Sequence, residues 1–459
     1  MRITNLNPAH DIGASSWAVE LDGCRLLMDA GTHPKREGRD ALPLYSKLPA
    51  GAEVDAIALT HCHHDHVGSL PVALQHFPNA HVLMTELSYF IVERVLHNSV
   101  NVMTRQREEL GIREYPLYTH DEVDEIAALF QGFRFGREIE WASFAKLDRG
   151  RPSPTLEFLD AGHTLGAAGV MVRGARQTLF NTGDVSFTDQ TLLKGARFDD
   201  VQADVLIMET TRGAKATPAG YSRDAEIARL EEAILATLAR KGSVLIPAFA
   251  LGRTQEVLAI LALMQRAKRI PRQPIYIGGL GRVFTEIFDL EAHRAHRNHS
   301  SLRLTESLNL QVMAKKELEA MRTTGGRIYV LTSGMMNENT AAHDLALRFA
   351  GDERNTICFV GYTDPETPGG RLRAAKPGEA FFFSRGGGEL TRHCEVLSFD
   401  MTGHALREEL LDFVGVVDPR AVVLGHGDDD ARAWFAEQIL ARHPKVKVLD
   451  PGPGETVEV

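Results

Sequence analysis

The chain has 459 residues, 44% of them apolar and 24% charged, with a formal net charge of −10. That length exceeds what one ordinary core needs, so two domains are expected, and the acidic balance argues against broad, non-specific coating of nucleic acid while leaving room for a local basic cleft. No apolar run approaches the roughly 18 residues of a membrane-spanning helix, and "MRITNLNPAHDIGASSW" at the start lacks the apolar segment of a signal peptide, so a soluble cytoplasmic protein is expected.

In chain order, "SWAVELDGCRLLMDAG" reads as two short strands around a turn at Asp22-Gly23. "VDAIALT" is a buried strand, "GSLPVALQHF" begins a helix, and "AHVLMT" is another strand. From about Glu86 to Leu147 the pattern is helical and amphipathic, as in "DEVDEIAALFQ". Strands return at "TLEFLDAG", "AGVMVRG", "QTLFNTGD" and "ADVLIMETT". A second unit starts near Ala214, where a helix capped by Ser222 precedes "SVLIPAFA", and strands then alternate with helices as in a parallel sheet. From about Val396 the first style comes back, with "RAVVLGHGD", a helix and "VKVLDPG". The cysteines Cys24, Cys62, Cys358 and Cys394 are far apart without a CxxC pair, so reduced, buried thiols are expected.

The chemistry concentrates in "HCHHDH", which follows an apolar strand and precedes a helix. Alternate residues of an extended chain point the same way, so His61 and His63 can share one metal, while Asp65 and His66 turn toward a second. Cys62 and His64 read as spacers. One turn cannot complete two sites, and His163, Asp184 and His426 each follow a further apolar strand. A carboxylate has two oxygens, so Asp184 suits a bridge between two ions.

These residues carry a resemblance. Asp29, the HxHxDH cluster, His163 and Asp184 match the successive motifs of metallo-β-lactamase-fold hydrolases. "ETTRG", "IPAFALGRTQEVL", "TSGMM", "RNTICFVGY" and "MTGHA" resemble, in order, stretches of the β-CASP nucleic-acid-processing branch. That branch includes the cleavage-and-polyadenylation endonuclease and RNase J-like ribonucleases. The resemblance implies an α/β fold, a metallo-β-lactamase αββα sandwich with an inserted β-CASP α/β domain. The expected divisions are 1–213, the inserted 214–395, and the returning 396–459. It implies two zinc ions per chain. One would take His61, His63 and His163, the other Asp65, His66 and His426, with Asp184 shared. Asp29 would order the ligands from behind. Asp65, His404 and Glu209 would be catalytic, with Glu209 orienting His404 and favouring its imidazolium form. Arg253 and Thr402 would contact substrate.

The function implied is zinc-dependent hydrolysis of RNA phosphodiester bonds, internally, from the 5′ end, or both, on single-stranded RNA and with a homodimer plausible. The alternatives are a small-ester or thioester hydrolase of the same fold and a non-catalytic nucleic-acid-binding subunit. Three departures from the branch pattern leave the metal site untouched: "IGGLG" at 277–281 and "TSGMMNENTAA" in place of a glycine pair, both on the inserted domain where the strand would rest, and Leu406 after "GHA". No KH module and no tail like the RNase J dimerisation domain is expected. The glycine- and arginine-bearing "GGRLR" (369–373) and "SRGGGELTR" (384–392) are further candidates for strand contacts.

Overall fold

Period-two burial builds the first part of the chain. In the strand Val205–Glu209, Val205 and Ile207 face one core while Leu206 and Met208 face another. The computed structural model describes residues 1–144, 153–313, 325–384 and 387–459. They divide into two units, one of Met1–Asp189, Gly195–Thr217 and His404–Val459, the other of Gln190–Lys194 and Pro218–Gly403.

The first unit holds two seven-stranded sheets. One runs in the order Thr456–Glu458, Arg2–Asn5, Trp17–Leu21, Cys24–Met28, Ala56–Ala58, His81–Thr85, Phe130–Phe133. The other runs Lys447–Leu449, Ala421–Gly425, Val205–Glu209, Thr178–Asn181, Ala168–Arg173, Thr155–Asp160, Ile139–Glu140. Between them Trp17, Val19, Met28 and Leu83 meet Phe158, Val170, Leu179 and Ile207. Helices Arg407–Val417 and Asp429–Arg442 cover the outer face of the second sheet, packing Leu410, Val414, Phe435 and Ile439 on Phe180, Leu206 and Met208. The helix Glu86–Leu110 packs on the last strands of the first sheet. The layers are therefore helix, sheet, sheet, helix, as the αββα resemblance implied.

Strand direction positions the site. Cys24–Met28 and Ala56–Ala58 are parallel. Thr155–Asp160, Thr178–Asn181, Val205–Glu209 and Ala421–Gly425 also share one direction. Residues that follow these strands therefore leave each sheet at a common edge.

The second unit carries a six-stranded, all-parallel sheet in the order Leu310–Val312, Ile275–Ile277, Ile328–Leu331, Val244–Pro247, Thr356–Phe359, Glu395–Ser398. Its helices include Arg223–Ala239, which the Ser222 hydroxyl caps by accepting from Ala225 N–H, and Arg253–Arg266. "IGGLG" spans the end of one strand and the start of the helix Gly279–Leu290. Thr340, in the departure after "TSGMM", caps the helix Ala341–Phe349.

Three expectations need correction. The stretch from Glu86 to Leu147 is helical only over Glu86–Leu110 and His120–Ala127. Phe130–Phe133 and Ile139–Glu140 are outer strands of the two sheets, too short to show a period; 145–147 lie outside the described residues. The returning segment begins at His404 rather than near 396, because Glu395–Ser398 pairs with Thr356–Phe359 and extends the second unit's sheet. The first junction falls after Thr217 rather than Ala214, and of 384–392 Arg385 and Gly386 lie outside the described residues.

Phe158 is wholly buried between the two sheets. Phe158→Ala should cost about 3–5 kcal/mol. Trp17, Trp141 and Trp434 all lie in the first unit, so tryptophan fluorescence during denaturant unfolding reports on it. A loss below about 1 kcal/mol would mean that this core is not closely packed.

Candidate metal centre

The cluster is assembled from loop residues just beyond the strand ends. Asp29 follows Cys24–Met28, and Thr60 to His66 follow Ala56–Ala58. His163, Asp184 and His426 follow Thr155–Asp160, Thr178–Asn181 and Ala421–Gly425. The chain is tightly threaded there. A Cβ on Gly31 would lie 1.7 Å from the Asp65 carbonyl oxygen, which itself accepts from Ser15 N–H. Asp29 and His426 both hold positive φ, of 63° and 48°, a region that costs energy for a side-chain-bearing residue and gathers at functional sites.

Asp184 is the point on which the donors converge. Its Oδ2 lies 3.6 Å from His61 Nε2 and 3.7 Å from His163 Nε2. His63 Nδ1 is 3.1 Å from each of those nitrogens. The other oxygen, Oδ1, lies 3.6 Å from His66 Nε2 and 3.2 Å from His426 Nδ1. His426 Nε2 is 3.3 Å from both His66 Nε2 and Asp65 Oδ2. Two donor groups thus share one carboxylate, one oxygen to each. His61, His63 and His163 form the first, and Asp65, His66 and His426 the second.

The donors fit divalent cations. A tetrahedral zinc with bonds of about 2.0–2.1 Å sets its ligand atoms roughly 3.3 Å apart. The first group's separations of 3.1 to 3.7 Å bracket that figure. Imidazole nitrogens turned edge to edge repel unless a proton or a cation lies between them. Asp184 Oδ1 is buried, and His426 Nδ1 at 3.2 Å does not meet it with hydrogen-bond geometry, nor does any other donor among the described residues.

Electrostatics points the same way. Burial, then the surrounding imidazoles, hold His61 well below the usual histidine range. Burial also works against a charged His66, but Asp184 and Asp29 outweigh it and raise its pKa to about 10. Burial would push Asp184 up, yet His426 and His66 hold it below the usual carboxylate range. Burial thus favours a neutral imidazole at His61 beside an ionised Asp184, the charge states that ligands of a divalent cation need.

Asp29 fixes the orientation of the donors. Its Oδ1 accepts from Thr60 N–H at 2.7 Å and its Oδ2 from the Thr60 hydroxyl at 2.8 Å. His66 Nδ1 lies 2.7 Å from the same Oδ2 and donates to it, which turns Nε2 toward Asp184. Thr60 and Thr211, whose hydroxyl lies 3.1 Å from His426 Nδ1, are contributors that sequence reasoning missed. Thr60 had a signal, its place immediately before His61; Thr211 had none beyond standing two residues after Glu209.

Glu209 and His404 make a second arrangement beside the first. Glu209 Oε2 lies 3.0 Å from His404 Nδ1, and Oε1 accepts from Val185 N–H at 2.7 Å. The His404 ring sits 4.6 Å from that of His163. The spacers point elsewhere: His64 Nε2 pairs with the Ser99 hydroxyl at 2.8 Å. Cys62 Sγ contacts the Ser88 carbonyl, and burial pushes its thiol up to about 12.

Arg253 and Thr402 are not among the converging residues and belong to the second unit. Arg253 donates to the Met401 carbonyl at 2.8 Å and to Gln190 Oε1, so these two donors brace the chain rather than reach outward. The Thr402 carbonyl accepts from Arg223.

Asp29→Asn keeps the shape but removes the charge that holds the His66 proton. It should weaken zinc affinity about ten- to a hundredfold. Competition with a chromophoric chelator measures this, and wild-type affinity would show that Asp29 does not set the ligands.

Residues 11–237 match the model of the metallo-beta-lactamase superfamily. Residues 254–372 match the Beta-Casp domain, and 389–449 the Zn-dependent metallo-hydrolase RNA specificity domain. The chain is 28% identical to ribonuclease TTHA0252 of Thermus thermophilus over 100% of both chains. It is 27% identical to the probable RNase MJ4 of Methanocaldococcus jannaschii, over 94% of each. It is 24% identical to endoribonuclease YSH1 of Eremothecium gossypii, over 97% of this chain but 57% of that one, so it spans just over half of that relative. The fold also resembles a crystal structure of a protein of unknown function from Enterococcus faecalis, at TM-score 0.58 and 13% identity over 100% and 99% of the two chains. With its donor clusters at the strand edges and three domain models in succession, the chain belongs to the metallo-β-lactamase superfamily, in its β-CASP branch.

Proposed function

We propose that the chain is a zinc-dependent ribonuclease that hydrolyses phosphodiester bonds of single-stranded RNA. The observation that carries this reading is Asp184, one carboxylate shared by two donor groups. His61, His63 and His163 would hold one zinc and Asp65, His66 and His426 the other. Two such cations, once bound, supply Lewis-acid stabilisation of charge on phosphate oxygens and ease deprotonation of water. The RNA specificity domain match and the ribonuclease names of the relatives support RNA as the polymer.

The chain's own residues do the rest. Glu209 holds His404 through Nδ1, and in this reading Nε2 is the atom that meets substrate. His404 would bind the scissile phosphate and give its proton to the leaving oxygen. Glu209 is in turn fixed by Val185 N–H and by its own N–H to the Thr182 hydroxyl, so the His404 ring cannot swing freely. Arg253 and Thr402 enter this reading as substrate contacts, Arg253 also holding the Met401 carbonyl before His404.

A cytoplasmic location goes with this reading, supported by four buried cysteines that are not joined as disulfides. No described helix is long and apolar enough to cross a membrane. A homodimer is part of the same proposal and can be read from sedimentation.

Elemental analysis should find about two zinc ions per chain. Zinc-loaded protein should cleave end-labelled RNA, the product lengths giving internal or 5′-terminal attack, and Asp65→Ala should abolish cleavage. His404→Ala should keep its zinc and lose roughly 10²–10⁴-fold in rate. If wild type and Asp65→Ala are equally inert on RNA and DNA, the nuclease reading fails. Hydrolysis of small esters or thioesters would then identify the alternative enzyme, and RNA binding without hydrolysis a non-catalytic subunit.

A further inference from the structure

The second unit's sheet has a topological switch point. Val244–Pro247 lies between Ile328–Leu331 and Thr356–Phe359. The chain leaving Val244–Pro247 runs through the helix Arg253–Arg266 to Ile275–Ile277, on one side of it. The chain leaving Thr356–Phe359 goes to Glu395–Ser398, on the other side. Neighbouring parallel strands whose onward connections part in this way leave a crevice at their carboxyl ends, where open α/β sheets bind ligands.

A crevice is present there, lined by Pro247, Phe249, Arg253, Gly334, Gly361 and Tyr362 among others. Its enclosed volume is only about 10 Å³, so a planar ring would lie against its rim rather than enter it. Two aromatic side chains stand exposed at it, Phe249 at 36% and Tyr362 at 54%. Single exposed apolar residues are ordinary, but two aromatic rings on one crevice at a switch point are not scattered.

The glycines shape the opening. A Cβ on Gly334 would lie 3.1 Å from the Phe249 backbone nitrogen and 3.2 Å from its ring, so Phe249 would have to give by a few tenths of an ångström. A Cβ on Gly361 would meet nothing within 4 Å, so glycine there keeps the crevice clear without being required by packing. Every nucleobase has a π-face, and aromatic rings exposed beside accessible backbone are how single strands are held without sequence preference.

We infer that this crevice is a nucleobase-stacking site for single-stranded RNA, with Phe249 and Tyr362 supplying the faces. The inference rests on the ribonuclease reading and adds to it a binding site distinct from the metal cluster. Tyr362→Ala and Phe249→Ala should each raise KM for a short single-stranded RNA roughly tenfold. Zinc content and kcat should hold. Tyr362→Phe should stay near wild type, which separates stacking from the contact of the Tyr362 hydroxyl with Asp364. Gly361→Leu should raise KM by filling the crevice while leaving both rings in place.

RNAs carrying one abasic nucleotide at successive positions supply the substrate side. At one position the abasic RNA should raise KM for wild type and add nothing further to Tyr362→Ala. Unchanged KM in Tyr362→Ala, Phe249→Ala and Gly361→Leu, in a protein whose wild type cleaves RNA, overturns the stacking site and leaves the ribonuclease standing. Failure of the wild type to cleave RNA removes both.

Discussion

Asp184 is an ionised carboxylate buried among imidazoles at the meeting edge of two sheets, and the geometry of the site follows from the need to compensate it. A lone buried carboxylate costs several kcal/mol in lost hydration. Here each oxygen faces its own set of imidazole nitrogens. The compensation works only if Asp29 turns His66 the right way and if the strand-end loops bring six further donors within reach. Parallel strand direction meets that second condition, because it delivers residues far apart in sequence to one edge. Positive φ at Asp29 and His426 is the local cost of ending those strands so abruptly.

The seven candidate donors were legible because each is a ligand-type residue placed just after an apolar strand. "HCHHDH" alone carries four of them, and His163, Asp184 and His426 repeat the same placement. The alternation of "VLIM" between two cores was likewise readable, since its period is fixed by the pleat. What lay hidden was long-range. Nothing near Thr211 announces that its hydroxyl meets His426, and nothing near Arg253 announces that it grips Met401 and Gln190. The strands Phe130–Phe133 and Ile139–Glu140 were lost in a helical reading because outer strands of a few residues are fixed by their partner, not by their own pattern. The reach of the inserted unit to Gly403 was hidden for the same reason, as only pairing shows which sheet Glu395–Ser398 joins.

The departures at 277–281 and 332–342 fall in the second unit, and each has a local structural role. Gly278 and Gly279 lead from a strand into a helix, Thr340 caps another helix, and Gly334 makes room for the Phe249 ring. None of these residues is among the candidate metal donors. The candidate metal donors and these departures thus fall in different units of the chain.

X-ray diffraction from zinc-loaded crystals on either side of the zinc absorption edge tests the central claim most directly. The account predicts two anomalous peaks flanking the Asp184 carboxylate. One would be bound by His61, His63 and His163, and the other by Asp65, His66 and His426. A single peak, or peaks that leave Asp184 bound to neither ion, would contradict it.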